Sequence, residues 1–136
     1  MIDFEQFSTL DEAIKYIKTT KDISCRTRKE AERYLRKHIP LESYYQDKII
    51  KHIKKLLPSA FVWKAAAGPY SRGGIPDVCT VIQGRFYGFE VKRPLIGVLS
   101  ELQKQTIKEI KKAGGKAYVV TYTDEVTRIL QKEVES

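Results

Sequence analysis

The sequence GGIPDVCTVIQGRFYGFEVK occupies residues 73–92 of a chain of 136 residues. Two apolar runs, one ending at Ile82 and the other beginning at Phe86, flank a short break that contains Gly84. Apolar runs around a short glycine-containing break are typical of a β-hairpin. We therefore expect two antiparallel strands in the centre of the fold.

Polar side chains are expected to meet at the open end of this hairpin. Side chains alternate between the two faces of a strand, so Glu90 and Lys92 share one face while Phe89 and Val91 lie on the other. If the turn has an even number of residues, Asp77 lies opposite Glu90 or Lys92 and on their face. A three-residue turn would place Asp77 on the wrong side.

Such a cluster suits metal-assisted phosphodiester hydrolysis. Paired carboxylates such as those of Asp77 and Glu90 are hard oxygen ligands for Mg²⁺ or Mn²⁺. These ions polarise a phosphoryl oxygen and lower the pKa of a bound water. A lysine two residues beyond a carboxylate, here Lys92, can orient that water or stabilise the negative charge of the transition state.

At these residues the sequence resembles a known family. Gly74–Asp77 (G-I-P-D) followed by Glu90–Lys92 (E-V-K) resembles the signature of PD-(D/E)XK nucleases. Together with Ser100 and Gln103, the same residues resemble the VRR-NUC branch, which includes stand-alone phage and bacterial nucleases. The resemblance extends from Pro40 to the end of the chain and implies a restriction-endonuclease-like core.

The resemblance implies a site made of metal ligands and catalytic side chains. The implied metal ligands are Glu42, Asp77, Glu90 and the carbonyl of Val91; the implied catalytic residues are Asp77, Glu90, Lys92 and Gln103. Two of these residues also have a structural explanation. Glu42 in the first turn of a helix complements the helix dipole, and Gln103 has the N3 spacing of a capping box with Ser100. For both residues the resemblance favours the site.

Residues near the hairpin are candidates for contacts with the DNA backbone. Arg72, in the glycine-containing loop 68–74, is the best of these candidates as a bidentate phosphate donor, and an ordinary surface arginine is nearly as good an explanation. Lys64, Tyr70 and Arg93 are further candidates. A net charge of +8, from 25 basic and 17 acidic residues, favours a polyanionic partner. Many small basic proteins, however, use such an excess only for solubility.

Other features of composition indicate where the protein works. Cys25 and Cys79 form no Cys-x-x-Cys motif, and the N-terminus lacks the apolar segment of a signal peptide. The apolar runs are too short to span a bilayer, so we expect an intracellular, cytoplasmic protein without a membrane partner. His38 and His52 lie on different predicted helices without zinc-ligand spacing, and packing or surface roles are expected for them.

The predicted order of elements is α-α-α-β-β-β-α-β-α, a mixed α/β fold. The crossover helix, from Ser100 to Lys112, should make the strands on either side of it parallel, so the central sheet flanked by helices is mixed. The first strand is expected at Ala60–Ala67. We expect a nuclease core at residues 40–136 and an N-terminal helical extension at residues 1–39.

Two features of the helices preceding the sheet bear on these expectations. Pro40 is expected to open the third helix, with Leu41, Tyr45 and Ile49 on its buried side. The second helix carries a basic surface, from Arg28 to Lys37, for which a solvated face and a DNA-backbone contact are equally good explanations.

Taken together, these features predict a divalent-metal-dependent DNA endonuclease that uses Mg²⁺ or Mn²⁺. The resemblance further implies a homodimer, branched or four-way-junction DNA as the substrate, and a phage origin. The alternative is a non-catalytic nucleic-acid-binding module on the same fold. That alternative is disfavoured because Asp77 and Glu90 would repel phosphates without a metal between them.

Overall fold

The computed structural model describes residues 2–66 and 68–135. A 3₁₀ turn at Phe4–Gln6 precedes helices and strands in the predicted order. The elements are α1 (Leu10–Thr19), α2 (Arg28–His38), α3 (Glu42–Leu56), β1 (Phe61–Lys64), β2 (Val78–Ile82), β3 (Arg85–Val91), α4 (Glu101–Lys112), β4 (Lys116–Val120) and α5 (Thr123–Glu135). β1 is shorter than predicted, and Ala67 of the predicted strand lies outside the described residues.

The strands form a mixed four-stranded sheet in the order β1-β2-β3-β4. β2 is antiparallel to β1 and β3, whereas β3 and β4 are parallel. α4 connects the two parallel strands, as a parallel pair requires a crossover rather than a tight turn. The mixed α/β fold predicted from the sequence is therefore confirmed.

The β2–β3 hairpin closes with a two-residue turn, Gln83–Gly84, between the paired residues Ile82 and Arg85. Both turn residues have positive φ, 50° and 80°. This is the turn geometry that matches the twist of two antiparallel strands, and glycine adopts it at no steric cost. The two-residue turn therefore determines which residues pair along the whole hairpin.

The chain divides into two compact units. The smaller contains Met1–Leu41 and Arg93–Gly97, and the larger contains Glu42–Lys92 and Val98–Ser136. In the larger unit the apolar stripe of α3 is buried, with Ile49 and Ile53 fully enclosed. The residues of the sheet that are buried with them include Val78, Phe89 and Val91.

In the smaller unit, α1 and α2 pack together through their apolar stripes. Both helices begin at a threonine N-cap, as the capping-box spacing predicts: Thr9 accepts from the N–H of Glu12, and Thr27 accepts from the N–H of Glu30. These bonds satisfy backbone donors that have no partner within the helix.

Arg93 closes the end of α2 within the same unit. Its guanidinium donates to the carbonyls of Arg36, Ile39 and Pro40 at 2.8, 2.6 and 3.0 Å. The carbonyl of Arg36 would ordinarily accept from the N–H four residues later, but that residue is Pro40, which has none. Arg93 thus supplies a donor that the backbone lacks.

The start of α3 differs from the prediction. The helix begins at Glu42, and Leu41 is 68% exposed instead of buried. Leu41 precedes the first helical turn, so the helical periodicity that places Tyr45 and Ile49 in the core does not extend to it. No helix in residues 2–66 or 68–135 is both long and apolar enough to cross a bilayer.

Candidate metal centre

The hairpin places Asp77 opposite Glu90. Val78 pairs with Phe89, so the residue before Val78 faces the residue after Phe89. The backbone N–H of Val91 donates to Asp77 Oδ2 at 2.8 Å, which fixes the orientation of that carboxylate. Of the two turn lengths considered from the sequence, the even one occurs, and it brings these side chains to one face.

A third carboxylate joins this pair from α3. Glu42, Asp77 and Glu90 each offer an oxygen, and these oxygens lie within 4.8 Å of one another. Glu42 is the first residue of α3, and its Oε1 lies 3.5 Å from Nε2 of Gln46. Three segments that are far apart in sequence therefore contribute one acidic group each.

Glu90 is the most buried member of the cluster, with 1% of its surface exposed. Its Oε1 accepts from Nε2 of Gln103 at 2.7 Å and lies 3.7 Å from Nζ of Lys92. Its Oε2 is buried and accepts no hydrogen bond from a described donor; the side chains of Glu90 and Asp77 can hydrogen-bond only when one of them is protonated. Buried polar atoms are nearly always paired, so an orphaned carboxylate oxygen needs an explanation.

Glu90 does not ionise readily in this cluster, because it is buried beside two other carboxylates. Burial, together with the charge and the hydrogen-bonding side chain of Asp77, raises the pKa of Glu90 from 4.5 to about 8, while Lys92 acts in the opposite direction. Glu42 adds a smaller contribution that also raises this pKa. Without an additional positive charge, Glu90 is more stable protonated than ionised near neutral pH.

A divalent cation would resolve both features. Clustered carboxylate oxygens are the ligands that hard cations prefer, and a cation would give Oε2 of Glu90 a partner while neutralising the repulsion with Asp77. The residues present therefore fit a divalent metal. Val91 contributes its N–H to the cluster, and the role of its carbonyl as a ligand stays a prediction.

Gln103 has both of the roles that were considered from the sequence. Its Oε1 accepts from the N–H of Ser100 at 2.9 Å, and its own N–H donates to Ser100 Oγ at 3.1 Å, which completes a capping box at the start of α4. Its Nε2 is left to donate to Glu90. The two alternatives coexist because a side-chain amide has an acceptor and a donor on opposite ends.

Three of the four predicted DNA-contact residues bind other groups of the protein. Lys64 pairs with Asp47 at 3.6 Å, and Arg72 pairs with Glu109 at 3.0 Å. Tyr70 is fully exposed. Arg93 belongs to the smaller unit, where its donors are used by backbone carbonyls. DNA binding by these four residues stays a prediction.

One supporting residue was not identified from the sequence. The hydroxyl of Thr121 donates to the carbonyl of Lys92 at 2.9 Å, and the N–H of Lys92 donates to the carbonyl of Val120 at 3.0 Å. These bonds hold the backbone that carries Lys92 against the end of β4. Thr121 could have been identified from the predicted parallel pairing of the strands on either side of the crossover helix, because this pairing places the ends of β3 and β4 side by side.

Comparisons with known proteins show the fold. No family model matches the chain, and no curated protein matches it. A solved structure described as "VRR_NUC domain" is similar to it, with a TM-score of 0.52 and 20% sequence identity, over 64% of this chain and 95% of that chain. The larger share of this chain thus has the fold of a VRR_NUC domain, a nuclease-domain fold, which confirms the fold expected from the sequence.

Proposed function

We propose that this protein is a divalent-metal-dependent endonuclease that hydrolyses phosphodiester bonds in DNA. The observation that carries the proposal is the cluster of Glu42, Asp77 and the buried Glu90, in which ionised Glu90 accepts no hydrogen bond at Oε2 from a described donor. Clustered carboxylates beside a lysine on a nuclease-domain fold are the arrangement that metal-assisted phosphodiester hydrolysis requires.

Glu42, Asp77 and Glu90 would hold Mg²⁺ or Mn²⁺, together with the carbonyl of Val91. When bound, such an ion polarises a phosphoryl oxygen and lowers the pKa of a coordinated water. Asp77 is kept in place by the N–H of Val91. Glu90 is kept in place by the amide of Gln103, which donates to Oε1.

Lys92 would act on the water and on the scissile phosphate. Its side chain is 13% exposed, and its ammonium lies near Oε1 of Glu90, the same oxygen that accepts from Gln103. A lysine held in this way presents a positive charge where negative charge develops in the transition state. We assign it the role of orienting the attacking water or stabilising that charge.

We further propose branched DNA, including four-way junctions, as the substrate and a homodimer as the active form. Both follow from the resemblance of the site motifs to stand-alone VRR-NUC nucleases, since two sites in one dimer would allow paired nicks. The second candidate function, a non-catalytic nucleic-acid-binding module, would rely on the net charge of +8 alone. It leaves the acidic cluster without a purpose.

The test is cleavage of labelled single-stranded, duplex, flap and four-way-junction DNA with Mg²⁺, Mn²⁺ or EDTA. We expect cutting only with metal, and a loss of about 10²-fold or more in Asp77→Asn and in Lys92→Ala. Asp124→Asn and Lys104→Ala are matched controls, because both residues lie on exposed helix surfaces and form local ion pairs.

Two outcomes would contradict the proposal. One is cutting that survives EDTA or both site substitutions. The other is tight binding without cutting that Lys92→Ala leaves unaltered, which would favour the binding module. Circular dichroism of each variant separates loss of activity from loss of the fold.

A further inference from the structure

An exposed aromatic patch lies on β1, at the edge of the sheet. Phe61 and Trp63 are 68% and 38% exposed, and their ring centroids are 5.3 Å apart. The ring of the half-buried Phe86, two strands away on β3, lies 6.4 Å from that of Trp63 and extends the patch. Large aromatic side chains are seldom left together in water without a partner.

The strand register places this patch on the same face of the sheet as the metal centre. Trp63 pairs with Cys79, and the N–H of Ala65 donates to the carbonyl of Asp77 at 2.8 Å. Since alternate residues share a face, Trp63 lies on the face that carries Asp77 and Glu90. Strand geometry puts the backbone of Trp63 roughly 8 Å from that of Asp77, which corresponds to about two or three stacked nucleotides.

We propose that Phe61 and Trp63 form a stacking platform for an unpaired base of the DNA strand that is cut at the metal centre. This inference rests on the proposed function and specifies its substrate class: DNA with single-stranded nucleotides within two or three positions of the scissile phosphate. A base within a duplex has both faces covered by its neighbours, whereas an unpaired base offers a free face to an aromatic ring.

A nucleic acid explains the patch better than a second copy of the chain. Two exposed rings on a four-residue strand fall well short of the roughly 800 Å² that each partner of a stable protein interface contributes. The chain also carries a net charge of +8, which attracts the phosphates that accompany every base.

The single tryptophan of the chain allows a direct test. The intrinsic fluorescence of Trp63 is measured in EDTA, so that nothing is cut, while an oligothymidylate or a blunt duplex of the same length is added. We expect saturable quenching by the single strand and little by the duplex. Phe61→Ala should weaken single-strand binding by about tenfold, the loss that removal of one stacking side chain produces.

Tyr16→Ala is the matched control, because Tyr16 is 39% exposed but lies in the smaller unit, on α1. It should leave the affinity for the single strand unchanged. Equal quenching by duplex and single strand, or unaltered affinity in Phe61→Ala, would overturn the platform. A fluorescence change that depends on protein concentration in the absence of DNA would instead assign the patch to a second copy of the chain.

The experiments can contradict the stacking platform and the endonuclease proposal independently of each other. Quenching by the single strand without metal-dependent cutting would support the platform and contradict the endonuclease. Cutting without selective quenching would support the endonuclease and contradict the platform, since the fluorescence is measured under conditions that do not require catalysis.

Discussion

Glu90 has an environment that a purely structural residue would not need. A carboxylate that is almost fully buried must be paired and fully hydrogen-bonded to avoid a large desolvation cost. Here Gln103 and Lys92 satisfy one oxygen, while the second, when ionised, accepts no hydrogen bond from a donor in the described part of the chain. Perturbed groups of this kind concentrate at functional sites, which is why the site is assigned from this residue.

The pKa of Glu90 predicts how stability depends on pH when metal is removed. Burial and the side chain of Asp77 raise this pKa to about 8, above the unfolded value of 4.5. The contribution of protonated Glu90 to stability is therefore fully present below the unfolded pKa and is lost as pH rises through about 8. In EDTA we therefore expect the free energy of unfolding of the wild type to decrease between about pH 5 and about pH 9. Urea unfolding at a series of pH values measures it.

Glu90→Gln should remove most of this decrease, because the amide cannot ionise. At about pH 9 in EDTA we expect the variant to be more stable than the wild type by about 1–2 kcal/mol. Glu101→Gln is the control, since Glu101 lies on the exposed first turn of α4. Parallel pH profiles for wild type and Glu90→Gln would contradict the assignment of the pH dependence to Glu90.

At the scale of elements, the start of α4 joins a helix cap to the metal centre. The capping box fixes the side chain of Gln103, and the same side chain then donates to Glu90 on β3. A helix that is held at its first turn can therefore position a carboxylate on a neighbouring strand. Such supporting partners commonly affect a metal site nearly as much as the ligands do.

Ser100→Ala and Gln103→Ala separate the two roles of this helix start. Ser100→Ala removes one cap bond and should lower the free energy of unfolding by about 1 kcal/mol, with little change in cleavage rate. Gln103→Ala also removes the bond to Glu90, and cleavage should fall by about 10- to 100-fold. Urea unfolding and single-turnover cleavage measure the two effects; equal losses of activity in both variants would indicate that Gln103 acts only as a cap.

The elements differ in how well the sequence predicts them. The hairpin was predictable from two apolar runs around a break that contains Gly84, but its register was not, because the sequence allowed both an even and a three-residue turn. Leu41 was assigned wrongly because its apolar character extends the pattern of α3 by one residue, and periodicity alone does not locate the first turn of a helix. The double role of Gln103 could not be decided from spacing, since both roles require the same position.

At the scale of the whole molecule, contacts between distant residues were beyond the reach of sequence patterns. Arg93 is predicted to contact DNA, and its position in the sequence gives no sign that its donors serve carbonyls more than fifty residues away. Nothing local to Arg93 indicates that Pro40 leaves the carbonyl of Arg36 without a donor. Only the tertiary arrangement brings the two together.

Arg93→Ala distinguishes this structural role from DNA binding. Loss of charged donors to three carbonyls should lower the free energy of unfolding by about 2–3 kcal/mol. If Arg93 also contacts a phosphate, as predicted from the sequence, the slope of log affinity against log salt should fall by about 0.9, whereas a purely structural role would leave the slope unaltered. Arg128→Ala, on the exposed surface of α5, is the control for both measurements. A reduced slope would support the predicted DNA contact, and unchanged stability would contradict the structural role.

The two-residue turn at Gln83–Gly84 has a consequence for how chains of this kind can diverge. Adding or deleting one codon there would carry every side chain beyond the turn to the opposite surface, Glu90 included, while the hairpin itself could still form. Lineages that keep the activity are therefore expected to change length at this bend by even numbers or not at all. The long connection between β1 and β2 is not limited to even changes in length, so insertions should accumulate there instead.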